Sequence, residues 1–64
     1  MSQESKEYIR HARHSIAATI ENLADATGYA KQAGDGKMAE KIDRLQRDAS
    51  SIVREIDSKS DTHQ

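Results

Sequence analysis

The chain has no cysteine, proline, tryptophan or phenylalanine, and it carries only three glycines and two tyrosines in 64 residues. Without cysteine a disulfide framework is excluded, although a domain this small usually needs a staple or a partner to stay folded. Long apolar runs are missing as well: no stretch approaches the roughly 20 residues of a membrane-spanning helix. The opening Met-Ser-Gln-Glu-Ser-Lys-Glu lacks the basic and apolar regions of a signal peptide, so a cytoplasmic location is the expectation. A basic excess is also lacking. Ten Lys and Arg stand against eleven Asp and Glu, for a formal charge of −1. Nucleic-acid binders normally carry surplus positive charge to displace counterions from phosphate, so that class is disfavoured, and two aromatic residues offer little for stacking RNA bases.

What remains is a small apolar set inside a charged frame. Hydrophobic residues make up 34% of the chain, against roughly 45–50% in an ordinary globular domain. They are six Ile, two Leu, one Val, two Met and two Tyr beside nine Ala. Their spacing carries more information than their number. Ile9, Ala12, Ile16, Thr19, Leu23, Ala26 and Ala30 follow one another at alternating steps of three and four, as do Met38, Ile42, Leu45, Ala49, Ile52 and Ile56. Such steps align side chains on one stripe of an α-helix.

The expected fold is therefore all-α, an antiparallel hairpin of two long amphipathic helices. Helix one is expected over about 3–33, the turn over 34–36, helix two over about 37–58, and a frayed tail over 59–64. Ser2 or Ser5 can cap the first helix, with Glu4 and Glu7 near its positive end. Gly34 suits the left-handed position that ends many helices, Asp35 can cap the second helix, and Gly36 loosens the turn. Gly28 disputes this layout, because glycine inside a helix costs about 1 kcal/mol relative to alanine. An early stop or kink there is one reading; Ala30 and Ala33 staying in phase favours a continuous helix. The tight turn would then bring Ala30 opposite Met38, Ala26 opposite Ile42, Leu23 opposite Leu45, Thr19 opposite Ala49, Ile16 opposite Ile52 and Ala12 opposite Ile56. Pairs such as Glu40 with Arg44 and Asp43 with Arg47 sit four apart in the favourable order, at a few tenths of a kcal/mol each.

Two helices shield only one side of each other, so a seam residue gains less than the roughly 1.5–3 kcal/mol of full burial. Ordering the backbone costs about 1–2 kcal/mol per residue. Self-association into a four-helix bundle, as a homodimer or a higher oligomer, or docking on a helical protein partner, is the expected remedy. Ile20, Ala24, Thr27, Ala39 and Val53 lie just off the main stripe and are the candidate interface. The other flank is expected to carry Tyr8, Asn22, Tyr29, Lys41, Asp48 and Glu55.

Chemistry-bearing motifs are sparse. Glu7, His11 and His14 share one strip at spacings of four and three, which can hold a metal. An exposed strip with no Cys and no His-Glu-x-x-His pattern reads better as solvated surface, with His63 in the tail; no metal and no cofactor are expected. Ser15, Ser50 and Ser51 lack a plausible His–Asp geometry, and Gly34-Asp35-Gly36 is too short for a phosphate loop and lacks its Gly-Lys-Ser/Thr ending. A catalytic role is not expected. An anionic small molecule is a more plausible ligand, since Lys6, Arg10, Arg13, Arg54 and Lys59 gather near the open end of the hairpin with Tyr8 available for stacking. Tyr8, Arg10, Arg13 and Arg54 are the candidate anion-binding residues, with Glu4, Glu7, Glu55 and Asp57 competing for the same cations. Over residues 45–56, Leu45-Gln46, Ile52-Val53-Arg54 and Ile56 resemble the second helix of phage anti-CBASS proteins that sequester cyclic nucleotides. Asp48 and Ala49 replace the Gly and aromatic residue expected after the Leu-Gln pair, so no ligand residue is carried over. By architecture the chain is also similar to small plasmid regulators and secretion co-chaperones built as helical hairpins, a likeness of fold that does not fix function. The leading expectation is a non-enzymatic interaction or regulatory protein that self-associates and binds another macromolecule, and the alternative is an oligomeric sponge for a small anion such as a cyclic nucleotide.

Overall fold

A computed structural model describes residues 2–61, with side chains described for residues 2–59. It consists of two α-helices, α1 (Gln3–Gln32) and α2 (Gly36–Asp61). They pack side by side into a rod 47 × 17 × 12 Å. Thirty residues at about 1.5 Å each give roughly 45 Å, so the long dimension is essentially the length of α1.

Local chemistry explains where each helix begins and ends. The Ser2 hydroxyl accepts from the backbone N–H of Ser5 at 3.1 Å, and Glu4 in the first turn meets the positive end of the dipole. Within α1, the hydroxyls of Thr19 and Thr27 donate back to the carbonyls of Ser15 and Leu23, at 2.8 and 3.0 Å. These bonds satisfy residues that otherwise compete with helical backbone pairing. The helix runs unbroken through Gly28, where a Cβ would meet nothing within 4 Å.

At the turn, the N–H of Asp35 donates to the carbonyl of Ala30 and that of Gly34 to Lys31, both at 3.0 Å. This pair of bonds is the Schellman closure, and it requires a left-handed residue, supplied by Gly34 at φ 77°. The Asp35 side chain then accepts from the N–H of Met38 at 3.0 Å and caps α2. At its other end α2 continues through Asp61, beyond the expected helix end at about residue 58. No glycine or proline follows Gly36 to stop it, and Lys59 in the last turn complements the negative end of the dipole. The remainder of the expected tail, with His63, lies outside the described residues.

The seam is not the one expected from the apolar stripes. Covered positions on α1 are Arg13, Ile16, Ile20, Leu23, Thr27 and Ala30, flanked by Ala17 and Ala26. On α2 they are Ala39, Ile42, Gln46, Ala49, Val53 and Ile56, flanked by Asp43, Ser50 and Asp57. Both sets keep steps of three and four, and they place Ala30 level with Ala39, Ile20 level with Ala49 and Ile16 level with Val53. Relative to expectation, α2 is turned by one position: Met38, Leu45 and Ile52 leave the seam, and Ala39, Gln46 and Val53 enter it. Ala12 and Thr19 of the expected stripe are likewise exposed, while Ile20 and Thr27 move in. A small residue beside the turn allows the helices to approach closely there. Ala39 is only 4% exposed and is the one fully covered hydrophobic residue among those described.

Candidate functional site

An antiparallel helix pair has a local twofold normal to its plane, so positions equivalent in the repeat share a flank. The residues just before seam positions 13, 20 and 27 of α1 are Ala12, Thr19 and Ala26, with Ala33 continuing the lane. Those just before 39, 46 and 53 of α2 are Met38, Leu45 and Ile52. Together they form one face of the rod, here called the front. On the rear face lie Arg10, Ala17, Ala24 and Lys31 of α1 and Asp43, Ser50 and Asp57 of α2. The front is uncharged from Ala12 to Ala33 on α1 and from Met38 to Ile52 on α2, and its α2 lane ends on Lys59 at the open end, whereas four of the seven rear positions are charged.

Exposure divides the same way. Met38, Leu45 and Ile52 leave 47, 57 and 45% of their surface open to solvent. The other large exposed apolar residues are Tyr8, Ile9 and Tyr29. By helical position the two tyrosines stand on the outer rim of the front, and Ile9 stands at the open end of the seam. The front is therefore an apolar strip with a ridge of large residues on α2 beside a lane of small ones on α1. Contiguous exposed apolar surface of this kind usually marks an interaction site.

The proposed interface residues from the sequence are distributed differently. Ile20, Thr27, Ala39 and Val53 are covered inside the hairpin, and Ala24 is exposed on the rear. They do not form one free strip. A one-position turn of both helices accounts for this, bringing Ile20 and Thr27 of α1 and Ala39 and Val53 of α2 into the seam. Met38, Leu45 and Ile52 were missed as a surface because they fit the helical stripe so well. Their strict spacing of seven, matched by Ala12, Thr19, Ala26 and Ala33, was the available signal.

At the open end, Arg13 forms a bidentate pair with Asp57: Nε donates to one carboxylate oxygen at 2.6 Å and a terminal nitrogen donates to the other at 3.0 Å. Both side chains are about half exposed. Hydrogen bonding to the Arg13 guanidinium, outweighing partial desolvation, holds the Asp57 carboxyl below the usual carboxylate range, and the same bond raises the arginine. Arg13, one of the candidate anion-binding residues, is thereby engaged with Asp57 within the chain. Tyr8, Arg10 and Arg54 remain exposed nearby. No protein-family model, no curated protein and no solved structure matches the chain.

A second ion pair is local. Arg47 pairs with Asp43 at 2.8 Å, four residues apart, and with Glu40 and Arg44 they line a shallow depression on α2. Exposed pairs of this kind contribute about 0.3–0.5 kcal/mol. Among the described residues no group of three or more His, Asp or Glu is placed to hold a metal, and no helix is long and apolar enough to cross a membrane.

Proposed function

We propose that this chain is a non-enzymatic interaction protein of the cytoplasm that works as an assembly of hairpins. Its front face joins copies into a four-helix bundle, and the polar outer surface of that bundle engages another macromolecule in a regulatory role. The observation that carries the reading is the exposure of Met38, Leu45 and Ile52 on a stretch of face that is uncharged until Lys59 near the open end, in a molecule with one fully covered hydrophobic side chain among its described residues. Water contact with three large apolar side chains is a free-energy cost that association removes, at roughly 25 cal/mol for each Å² covered. Light scattering on the purified chain at micromolar concentration tests this directly: a mass of two or more chains is expected, and a monodisperse single chain refutes it. A pull-down from the source cell then addresses the macromolecular partner.

A second reading, an oligomeric sponge for a small anion such as a cyclic nucleotide, is supported by Tyr8, Arg10 and Arg54 standing exposed around the open end. Two or more copies would have to combine these groups, because Asp57 already holds Arg13. A ligand of the native state raises its melting temperature. A panel of cyclic nucleotides and mononucleotides that leaves the melting temperature unchanged removes this reading.

A further inference from the structure

We infer that the occupant of the front face is a second copy of this chain, docked ridge into lane. The twofold axis runs along the rod, and both Gly34 turns lie at the same end. This deepens the self-association proposed above and rests on it.

The argument starts from the asymmetry of the face. On α2 the front positions are large, Met38, Leu45 and Ile52; on α1 they are small, Ala12, Thr19, Ala26 and Ala33. A twofold along the rod sets α2 of one protomer antiparallel against α1 of its partner. Within about 3 Å along the rod, Met38 then lies near Ala33 of the partner subunit, Leu45 near Ala26 of the partner subunit, Ile52 near Thr19 of the partner subunit and Lys59 near Ala12 of the partner subunit. Each large side chain meets a small one, and symmetry makes the same contacts twice. A twofold perpendicular to the rod instead stacks ridge on ridge and lane on lane, which holds the alanine lanes apart.

Charge agrees with the first arrangement. The rim residues beside the ridge on α2 are Lys41, Asp48 and Glu55, and those beside the lane on α1 are Tyr8, Ser15, Asn22 and Tyr29. Docked ridge into lane, Lys41 comes level with Tyr29 of the partner subunit, Asp48 with Asn22 of the partner subunit and Glu55 with Ser15 of the partner subunit. Every charged rim residue faces a neutral polar or aromatic one. The perpendicular arrangement turns the rim of α2 onto its own copy and brings the two Asp48 carboxylates near the axis. Like charges across an interface count against it. The rear face offers no comparable apolar ridge: its exposed positions are Arg10, Ala24 and Lys31, and Asp43 and Asp57 are part-covered and already paired with Arg47 and Arg13.

Because the chain contains no cysteine, single introduced thiols report proximity without background. The experiment mixes full-length Ala26→Cys with an affinity-tagged Leu45→Cys under mild oxidation and weighs the products. The mixed disulfide is expected to dominate over either like pair, since bridged Cα atoms must lie within about 7 Å. Dominance of the Leu45→Cys pair overturns the arrangement in favour of ridge on ridge, and absence of any link overturns it as well. Light scattering of Leu45→Glu, Thr19→Glu and Ala24→Glu runs alongside. The first two are expected to halve the mass and the third, on the rear, to leave it at two chains; a halved mass for Ala24→Glu alone places the contact on the rear. Unaltered wild type reading as one chain defeats the self-association reading itself, whereas a two-chain wild type with the wrong link defeats only this geometry.

Discussion

Gly28 and Gly34 present the same substitution in two opposite backbone settings, and alanine at each should move stability in opposite directions. Neither position is crowded: a Cβ at either site meets nothing within 4 Å. The effect is therefore backbone alone. Gly28 sits inside α1 with ordinary helical geometry, so Gly28→Ala recovers the helix-propensity difference of about 1 kcal/mol. For a domain of this size that corresponds to a rise of about 4–8 °C in melting temperature. At Gly34 the φ of 77° forces an L-residue into the left-handed region, at roughly 1–2 kcal/mol. Reduced entropy of the unfolded alanine chain returns about 0.4–1 kcal/mol, leaving a net loss near 1 kcal/mol. Circular dichroism melts at one fixed protein concentration measure both, since any association would make the midpoint depend on concentration. A fall in melting temperature for Gly28→Ala, or a rise for Gly34→Ala, would refute the assignment of an uninterrupted α1 and a Schellman turn.

Other substitutions test the remaining joints of the hairpin. Asp35→Ala removes the acceptor for the Met38 N–H and should cost about 0.5–2 kcal/mol in chemical denaturation, with Asp35→Asn recovering most of it. Ala39→Leu overpacks the most covered position and should cost about 1–3 kcal/mol, unless the helices splay, which a drop in helical ellipticity would reveal. Val53→Asp places a charge in the seam and should unfold the chain rather than merely separate copies; a folded single-chain species would show that Val53 lies outside the seam. The Arg13–Asp57 pair gives a pH signature. Asp57 titrates lower when folded than when unfolded, so its contribution is present above the ordinary carboxylate value near 3.9 and is lost as pH falls through the lowered one. The melting-temperature difference between wild type and Asp57→Asn should thus be largest near neutrality and shrink in acid, and a difference that grows in acid contradicts the pairing.

The helical hairpin itself was legible because two stripes at steps of three and four, separated by Gly34-Asp35-Gly36, admit little else. What the stripes could not settle was the rotation of each helix about its own axis, as α2 illustrates. The lane Ile42, Ala49 and Ile56 is flanked on one side by Met38, Leu45 and Ile52 and on the other by Ala39, Gln46 and Val53, so two overlapping seams compete. Apolar content favours the first. The turn geometry, the small size of Ala39 and the clasp between Arg13 and Asp57 go with the second. An ion pair spanning 44 positions leaves no trace in local spacing, so the sequence offers Asp57 only as one of four acids competing for the cations of the open end, and the fold selects it as the partner of Arg13. The front face was hidden by the same ambiguity: its residues were visible as apolar, but their exposure follows only once the rival seam is chosen.

The single reversal at Gly34 has a kinetic consequence. Because both rods meet there, every cross-helix layer is a hairpin nested inside the next, and closure can advance like a zip from the bend toward the free ends. Each further layer enlarges an already closed loop only slightly, an increment that grows as the logarithm of its length. Topologies so rich in nested, near-neighbour pairings fold on the microsecond to millisecond scale. A newly made chain of this type would thus present its greasy ridge, already lined up on one side, as soon as the zip has closed.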